Sequence, residues 1–190
     1  LLDWGAPGPL EAGFDLDDYG ARLLVALEHV RGLTRRPVSV MGYCMGGTMS
    51  AMFTSLHQEL IRNFILMAAP IDWSSKDSLL QVWSDEKYFD VDKVVDTFGN
   101  APPQWLQSNF ALLKPVTNMM EKYLGFYEKM TDEKFVEEFF AMETWANDNI
   151  PVAGETFRQF MKDLYQKNLL VQGKLRLGTK RVDLKNITCP

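Results

Sequence analysis

The sequence predicts an α/β fold that carries a large helical insertion. Three observations predict it: short apolar strands alternate with amphipathic helices over residues 1–72; a cysteine set among glycines stands where a strand gives way to a helix; and residues 73–170 show helical periods and turn punctuation without a convincing strand. Residues 171–190 read as a hairpin and a return to the core. The expected sheet is a partial, parallel one, because each strand is followed by a helix that carries the chain back.

Leu1-Leu2-Asp3-Trp4-Gly5 reads like the tail of a buried strand entering a loop, and residues 5–13 form a Gly/Pro loop. Asp17 or Asp18 can cap a helix whose Tyr19, Leu23, Leu27 and Val30 fall at helical spacing, with Gly32 ending it. Residues 38–41 form a strand with two β-branched valines. The next helix should turn Met49, Met52, Phe53 and Leu56 inward and end near His57. Residues 64–69 are a continuous apolar run, as expected of a parallel strand buried on both faces.

Within the insertion, helices are expected over residues 78–84, 91–98, 103–113, 116–129, 132–147 and 154–168. Pro102, Pro103, Pro115 and Pro151 sit at their boundaries, where proline is tolerated. Phe135, Phe139 and Met142 make one apolar stripe; Phe157, Phe160, Met161 and Leu164 make another. Leu175-Arg176-Leu177 and Lys180-Arg181-Val182 flank Gly178-Thr179 as a hairpin. Leu1 is not an initiator Met, and residues 187–190 stop where another strand is expected to begin. The expectation is an internal segment of a longer protein.

At 190 residues and 46% hydrophobic, the chain is long enough and apolar enough for one sizeable core. A net charge of -5 without a basic block gives no reason to expect nucleic acid binding. No apolar run is long enough to span a bilayer, and there is no signal-peptide pattern. Cys44 and Cys189 do not make a disulfide framework, so a reducing cytoplasm is the default.

The chemistry concentrates in Gly42-Tyr43-Cys44-Met45-Gly46-Gly47. Strand, nucleophile and helix in this order make a nucleophile elbow of the α/β-hydrolase type, with Cys in place of the usual Ser. The glycines leave room for backbone crossing at a sharp turn, and the following helix aims its first amides at the thiol, which favours negative charge developing there. The amide of Met45 would be one oxyanion-hole donor; a second would come from a loop after an earlier strand. A buried, inert core cysteine is the competing reading, and the glycine setting counts against it.

A thiol nucleophile needs a base. His57 lies thirteen residues past Cys44 along one helix, roughly 20 Å away at 1.5 Å per residue. His29 ends the helix that feeds the nucleophile strand and so belongs at the opposite sheet edge. Both suit helix C-termini, and neither is a base. The chain order of this fold places the acid and then the His after the nucleophile, with the His beyond residue 190. Asp72 could orient such a base, though a capping role where the insertion begins is the simpler reading. Asp3 is most simply a loop former. Trp73, Trp83, Trp105, Tyr123 and Trp145 could line a path for an apolar substrate, or they could simply be the insertion's core. No phosphate loop or metal-ligand cluster is evident.

The hexapeptide 42–47 resembles the lipase-box-like motif of polyhydroxyalkanoate synthases. Leu2-Asp3-Trp4-Gly5, Asp17-Asp18-Tyr19 and Ala69-Pro70-Ile71-Asp72 resemble that family as well. So, more loosely, do Gly154-Glu155-Thr156-Phe157-Arg158-Gln159 and Val182-Asp183-Leu184-Lys185-Asn186-Ile187. The likeness covers most of the chain, and the insertion looks most like the two-component synthases of classes III and IV. The resemblance implies that Cys44 is the nucleophile of a Cys-His-Asp triad whose Asp and His lie beyond residue 190, so that this segment alone should be inactive. It implies an acyltransferase that takes the acyl group of (R)-3-hydroxyacyl-coenzyme A onto Cys44 and passes it to a growing polyester, releasing coenzyme A. It implies no cofactor beyond the thioester substrate, a smaller partner synthase subunit, a homodimer of the full-length subunit, and a place in the cytoplasm at the surface of polyester granules. A Cys-dependent hydrolase such as dienelactone hydrolase shares the elbow but lacks so large an insertion. A granule scaffold without turnover is the non-catalytic alternative.

Overall fold

The computed structural model describes residues 1–75 and 78–190. Leu1 to Trp4 form no ladder with any strand and are exposed, so the strand end expected there is not realised. Among the described residues, no strand lies alongside to take its hydrogen bonds. The segment is held instead by local contacts: Asp3 Oδ1 accepts from Gly5 N at 2.9 Å, and Trp4 packs edge-on against Tyr19.

Helix α1 spans Leu16–Thr34 and starts earlier than a cap at Asp17 or Asp18 would place it. Asp15 is its N-cap, not Asp17 or Asp18. Asp15 Oδ1 accepts from Asp17 N and Asp18 N, and Asp18 Oδ2 accepts in return from Asp15 N at 3.0 Å. This reciprocal box satisfies amides that the first turn cannot pair internally. Gly32 does not end α1. A mid-helix glycine costs about 1 kcal/mol relative to Ala, while Leu27, with Leu23 and Leu24 beside it, is buried against Phe53 and Ile61. The helix ends at Arg35, which takes the left-handed conformation at φ 52° and donates its amide to Arg31 O.

Strand β1 (Val38–Tyr43), helix α2 (Met45–His57) and strand β2 (Ile61–Met67) form the expected unit. The strands pair in parallel, with Gly42 opposite Leu66 and Tyr43 opposite Met67. Leu27 from α1 and Phe53 from α2 join Ile61, Val38 and Val40 in one apolar cluster, so both helices cover the same side of the sheet. β2 is not buried on both faces as its sequence suggested: Ile65 is 50% and β1's Met41 62% exposed, because among the described residues no element covers them. The outer edge of β2 is met by the end of the chain, where Phe64 N donates to Pro190 O at 2.7 Å.

The insertion is helical. It holds α3 (Leu79–Ser84), α4 (Val91–Phe98), α5 (Pro103–Leu112), α6 (Lys122–Lys129), α7 (Glu133–Asn147) and α8 (Gly154–Gln159). Two helices expected to be continuous change pitch along their length. Thr117–Glu121 is π-helical before α6, and Phe160–Gln166 is π-helical after α8. α6 and α7 meet through aromatic rings, with Phe126 and Phe139 4.5 Å apart, and through Lys122 Nζ and Glu143 Oε1 at 2.7 Å. Met142 does not share that stripe and is exposed. Beyond the insertion, β3 (Arg176–Leu177) and β4 (Lys180–Arg181) pair antiparallel as the expected hairpin.

Two contacts seat the insertion on the core. The largest apolar cluster joins Leu16 of α1 and Met52 of α2 to Trp73, Phe160, Leu164 and Val182. The second is α8 itself. A Cβ on Gly154 would lie 2.0 Å from Gly99 O, so only glycine allows this approach. Thr156 donates both its amide and its hydroxyl to Phe14 O, and Gln159 Oε1 accepts from Leu16 N at 2.8 Å. Arg158 meets Asp92 and Asp96 of α4 and Glu155 of its own helix. Every polar side chain of that hexapeptide has a fixed partner.

Candidate active site

Cys44 stands at the junction of β1 and α2 with φ 51° and ψ -125°. A non-glycine residue in that region costs of order 1–3 kcal/mol and persists only where its surroundings over-determine it. They do. Cys44 N donates to Met67 O at 3.0 Å, and Cys44 O accepts from Gly47 N at 2.9 Å and Thr48 N at 3.2 Å. The side chain is left exposed at the tip, as a free thiol; Cys189 is also free.

The glycines of the elbow are not equivalent. A Cβ on Gly42 would lie 2.5 Å from Gly47 Cα, and one on Gly47 would lie 2.4 Å from Ala69 Cβ. Gly46 has nothing within 4 Å of its Cβ position, so the steric role expected of all three belongs to Gly42 and Gly47. Thr48 is fully buried in the first turn of α2. Its Oγ1 donates to Pro70 O at 2.6 Å, which ties the helix to the loop after β2.

Cys44 opens into a cavity of about 610 Å³ formed between core and insertion. The core contributes Cys44, Met45 and Pro70, and the insertion contributes Trp83, Trp105 and Tyr165. Most of the lining is apolar. Of the five aromatics weighed in the sequence, Trp83 and Trp105 line the cavity. Trp73 is buried behind it, packed on Phe160 and Tyr165. Tyr123 and Trp145 are exposed and lie outside it. Met45 begins α2 beside the thiol, so its amide belongs to the first helical turn, where amides lack intrahelical acceptors.

Neither histidine lines the cavity. His57 stacks on Phe53 with ring centroids 4.8 Å apart and holds Nδ1 3.7 Å from Glu59 Oε1. His29 is exposed near the end of α1. Asp72 also lies outside the cavity lining. Its Oδ1 accepts from Asn168 Nδ2 and from Ser74 N, and these hydrogen bonds, Asn168 foremost, hold its carboxyl below the usual range. It is thus a turn-forming residue where the insertion begins, as is Asp3 in its own loop.

Among the cavity residues not singled out in the sequence is a tyrosine. Tyr165 falls on the stripe begun by Phe157 and Phe160, eight residues after Phe157, and periodicity alone cannot separate it from core. Burial pushes its phenol up; the adjoining Trp73 indole acts in the other direction, and the charge of a Cys44 thiolate pushes it up further.

Over its whole length the chain is 43% identical, across 192 aligned residues, to the poly(3-hydroxyalkanoate) polymerase subunit PhaC of Haloferax mediterranei. It is 44% identical to the protein of the same name from Haloarcula marismortui and 39% identical to that from Allochromatium vinosum. The chain spans 39%, 40% and 54% of the lengths of these three relatives. The family model for the alpha/beta hydrolase fold matches residues 6–172, which include the elbow, the cavity and the whole insertion. The chain belongs to the alpha/beta hydrolase fold family.

Proposed function

We propose that this chain is the nucleophile-bearing segment of a polyhydroxyalkanoate synthase. Cys44 takes the acyl group of an (R)-3-hydroxyacyl-coenzyme A thioester, and the acyl-Cys intermediate is passed to the hydroxyl of a growing polyester. The observation that carries this reading is the opening of a strained, glycine-crossed Cys44 into an apolar cavity roofed by the insertion. Thioester-to-thioester exchange on a cysteine changes little in free energy, so the intermediate remains a good acyl donor. An apolar roof disfavours the competing hydrolysis. The names of the relatives, all polymerase subunits, support the same class of reaction.

In this reading the Met45 amide donates to the oxyanion as the carbonyl is attacked. The triad Asp and His follow residue 190, so the 190-residue chain by itself does not turn over. No cofactor is needed beyond the coenzyme A carried by the substrate. A smaller partner subunit, dimerisation of the full-length subunit and a cytoplasmic location at granule surfaces belong to the same proposal. So does the division into a core of residues 1–72, a cap of 73–170 and a return segment of 171–190.

The test is acyl labelling of the full-length protein by radiolabelled (R)-3-hydroxybutyryl-coenzyme A. Label on the peptide containing Cys44, lost together with polymer in Cys44→Ala, is the expected result. Label retained elsewhere in that variant overturns the assignment.

A further inference from the structure

Besides Ser84 and Asn109, whose side chains donate to carbonyls of their own helices, the insertion brings the phenol of a tyrosine to the cavity. Tyr165 reaches the cavity from the π-helical turn Phe160–Gln166, opposite Cys44 and Met45. Its backbone is pinned, since Gln81 Nε2 donates to Tyr165 O at 2.8 Å. Behind it stands Trp73, 7% exposed, with ring centroids 5.4 Å apart. The Trp73 backbone is fixed in turn: its amide donates to Asn168 Oδ1 at 3.2 Å, and Asn168 Nδ2 donates to Asp72 Oδ1 at 2.8 Å.

The indole N–H of Trp73 is buried and reaches no acceptor in hydrogen-bond geometry. An indole can only donate, and a buried donor left unpaired costs about 1–3 kcal/mol. The Tyr165 ring packs against that indole, and its phenol oxygen is able to accept. A phenol that accepts from the indole behind it has its own O–H left to donate, and the space in front of it is the cavity containing Cys44. Burial favours the protonated phenol, the form able to donate.

We propose that Tyr165 is a catalytic hydrogen-bond donor to the carbonyl oxygen of the acyl group on Cys44, with Trp73 as the positioning residue that turns its O–H toward the cavity. The inference rests on the thioester acyl-transfer reading above. It adds a donor supplied by the insertion to the backbone amide supplied by the elbow. No proton is transferred by Tyr165: the phenol only stabilises charge as it builds on the oxygen. Acyl transfer would then require the insertion to be seated, because the donor reaches the site only through the Trp73–Phe160–Leu164 cluster.

The experiment uses the full-length protein and a coenzyme A thioester of butyrate. This can acylate Cys44 but offers no 3-hydroxyl for a following ester. The rate of acylation, its KM and the carbonyl stretching band of the acyl-enzyme, by isotope-edited infrared, are compared in wild type, Tyr165→Phe and Trp73→Phe. The expected result for Tyr165→Phe is acylation slowed about 100-fold at an unchanged KM, with the carbonyl band moved to higher frequency. Trp73→Phe keeps the phenol and should give a smaller slowing with a broadened band. A purely structural role would leave the band where it is. Wild-type rate and band position in Tyr165→Phe overturn this proposal alone. No acylation of the wild-type protein overturns the thioester reading, and this proposal with it.

Discussion

Gly42 and Gly47 cross beneath Cys44 so closely that a Cβ on Gly42 would lie 2.5 Å from the Gly47 Cα. Both contacts are with backbone or a short side chain that cannot swing away. Gly42→Ala and Gly47→Ala should each cost about 3 kcal/mol or more. Gly46→Ala, with open space around it, should stay within about 1 kcal/mol of wild type. Thermal unfolding of the three variants checks the order.

Strain at Cys44 gives a second prediction. Glycine is at ease at φ 51°, whereas alanine carries the same penalty as cysteine. Cys44→Gly should therefore be more stable than Cys44→Ala by about 1 kcal/mol, although both lack the thiol. Urea denaturation reads the difference; equal midpoints would mean that the conformation stores no strain.

The bond from Thr48 Oγ1 to Pro70 O joins the first turn of α2 to the loop after β2. Thr48→Val keeps the shape and removes the donor, so about 1–2 kcal/mol of stability should be lost. Thr48→Ser should restore most of it. Hydrogen exchange of the amides of Ala68 and Ala69 should quicken in the valine variant and not in the serine one.

Asp92 gives the chain a pH dependence. Lys162 and Arg158 hold its carboxyl below the usual range, Lys162 contributing most. A carboxyl depressed in the folded state stabilises the fold above the ordinary value of about 3.9. That contribution fades as pH falls through the lower folded value. Wild type should lose more of its urea midpoint than Asp92→Asn on going from pH 6 into the range below about 4, and high salt should narrow the gap. Parallel curves for the two proteins would remove Asp92 from the account.

Much of this architecture was legible in the chain. The elbow is a local pattern, and α4 has the bounds 91–98 expected of it, with Asp90 capping it and Gly99 closing it. What escaped was in part a local competition and in part set by partners distant in sequence. Asp15 caps α1 rather than Asp17 or Asp18 because it accepts from both their amides while Asp18 reaches back to its own. Gly42 and Gly47 differ from Gly46 because of what crosses them in space. The hexapeptide 154–159 resembled a family motif without a reason attached; its reasons are Gly99 O, Phe14 O, Leu16 N and the α4 carboxylates. Tyr165 carried the same helical-stripe signal as Phe157 and Phe160, which line the cavity with it, and it differs from them only in bringing a hydroxyl there.

The backbone of Cys44 is held at both its amide and its carbonyl, by β2 on one side and by α2 on the other. With φ and ψ fixed in this way, the sulfur keeps a single rotor, the torsion about Cα–Cβ, whose staggered wells number three. A chain bonded to the sulfur turns further about Cβ–Sγ and its own bonds, so what the held backbone limits to three places is the point of attachment. The growing end is free to search the cavity while its anchor steps among a few fixed berths.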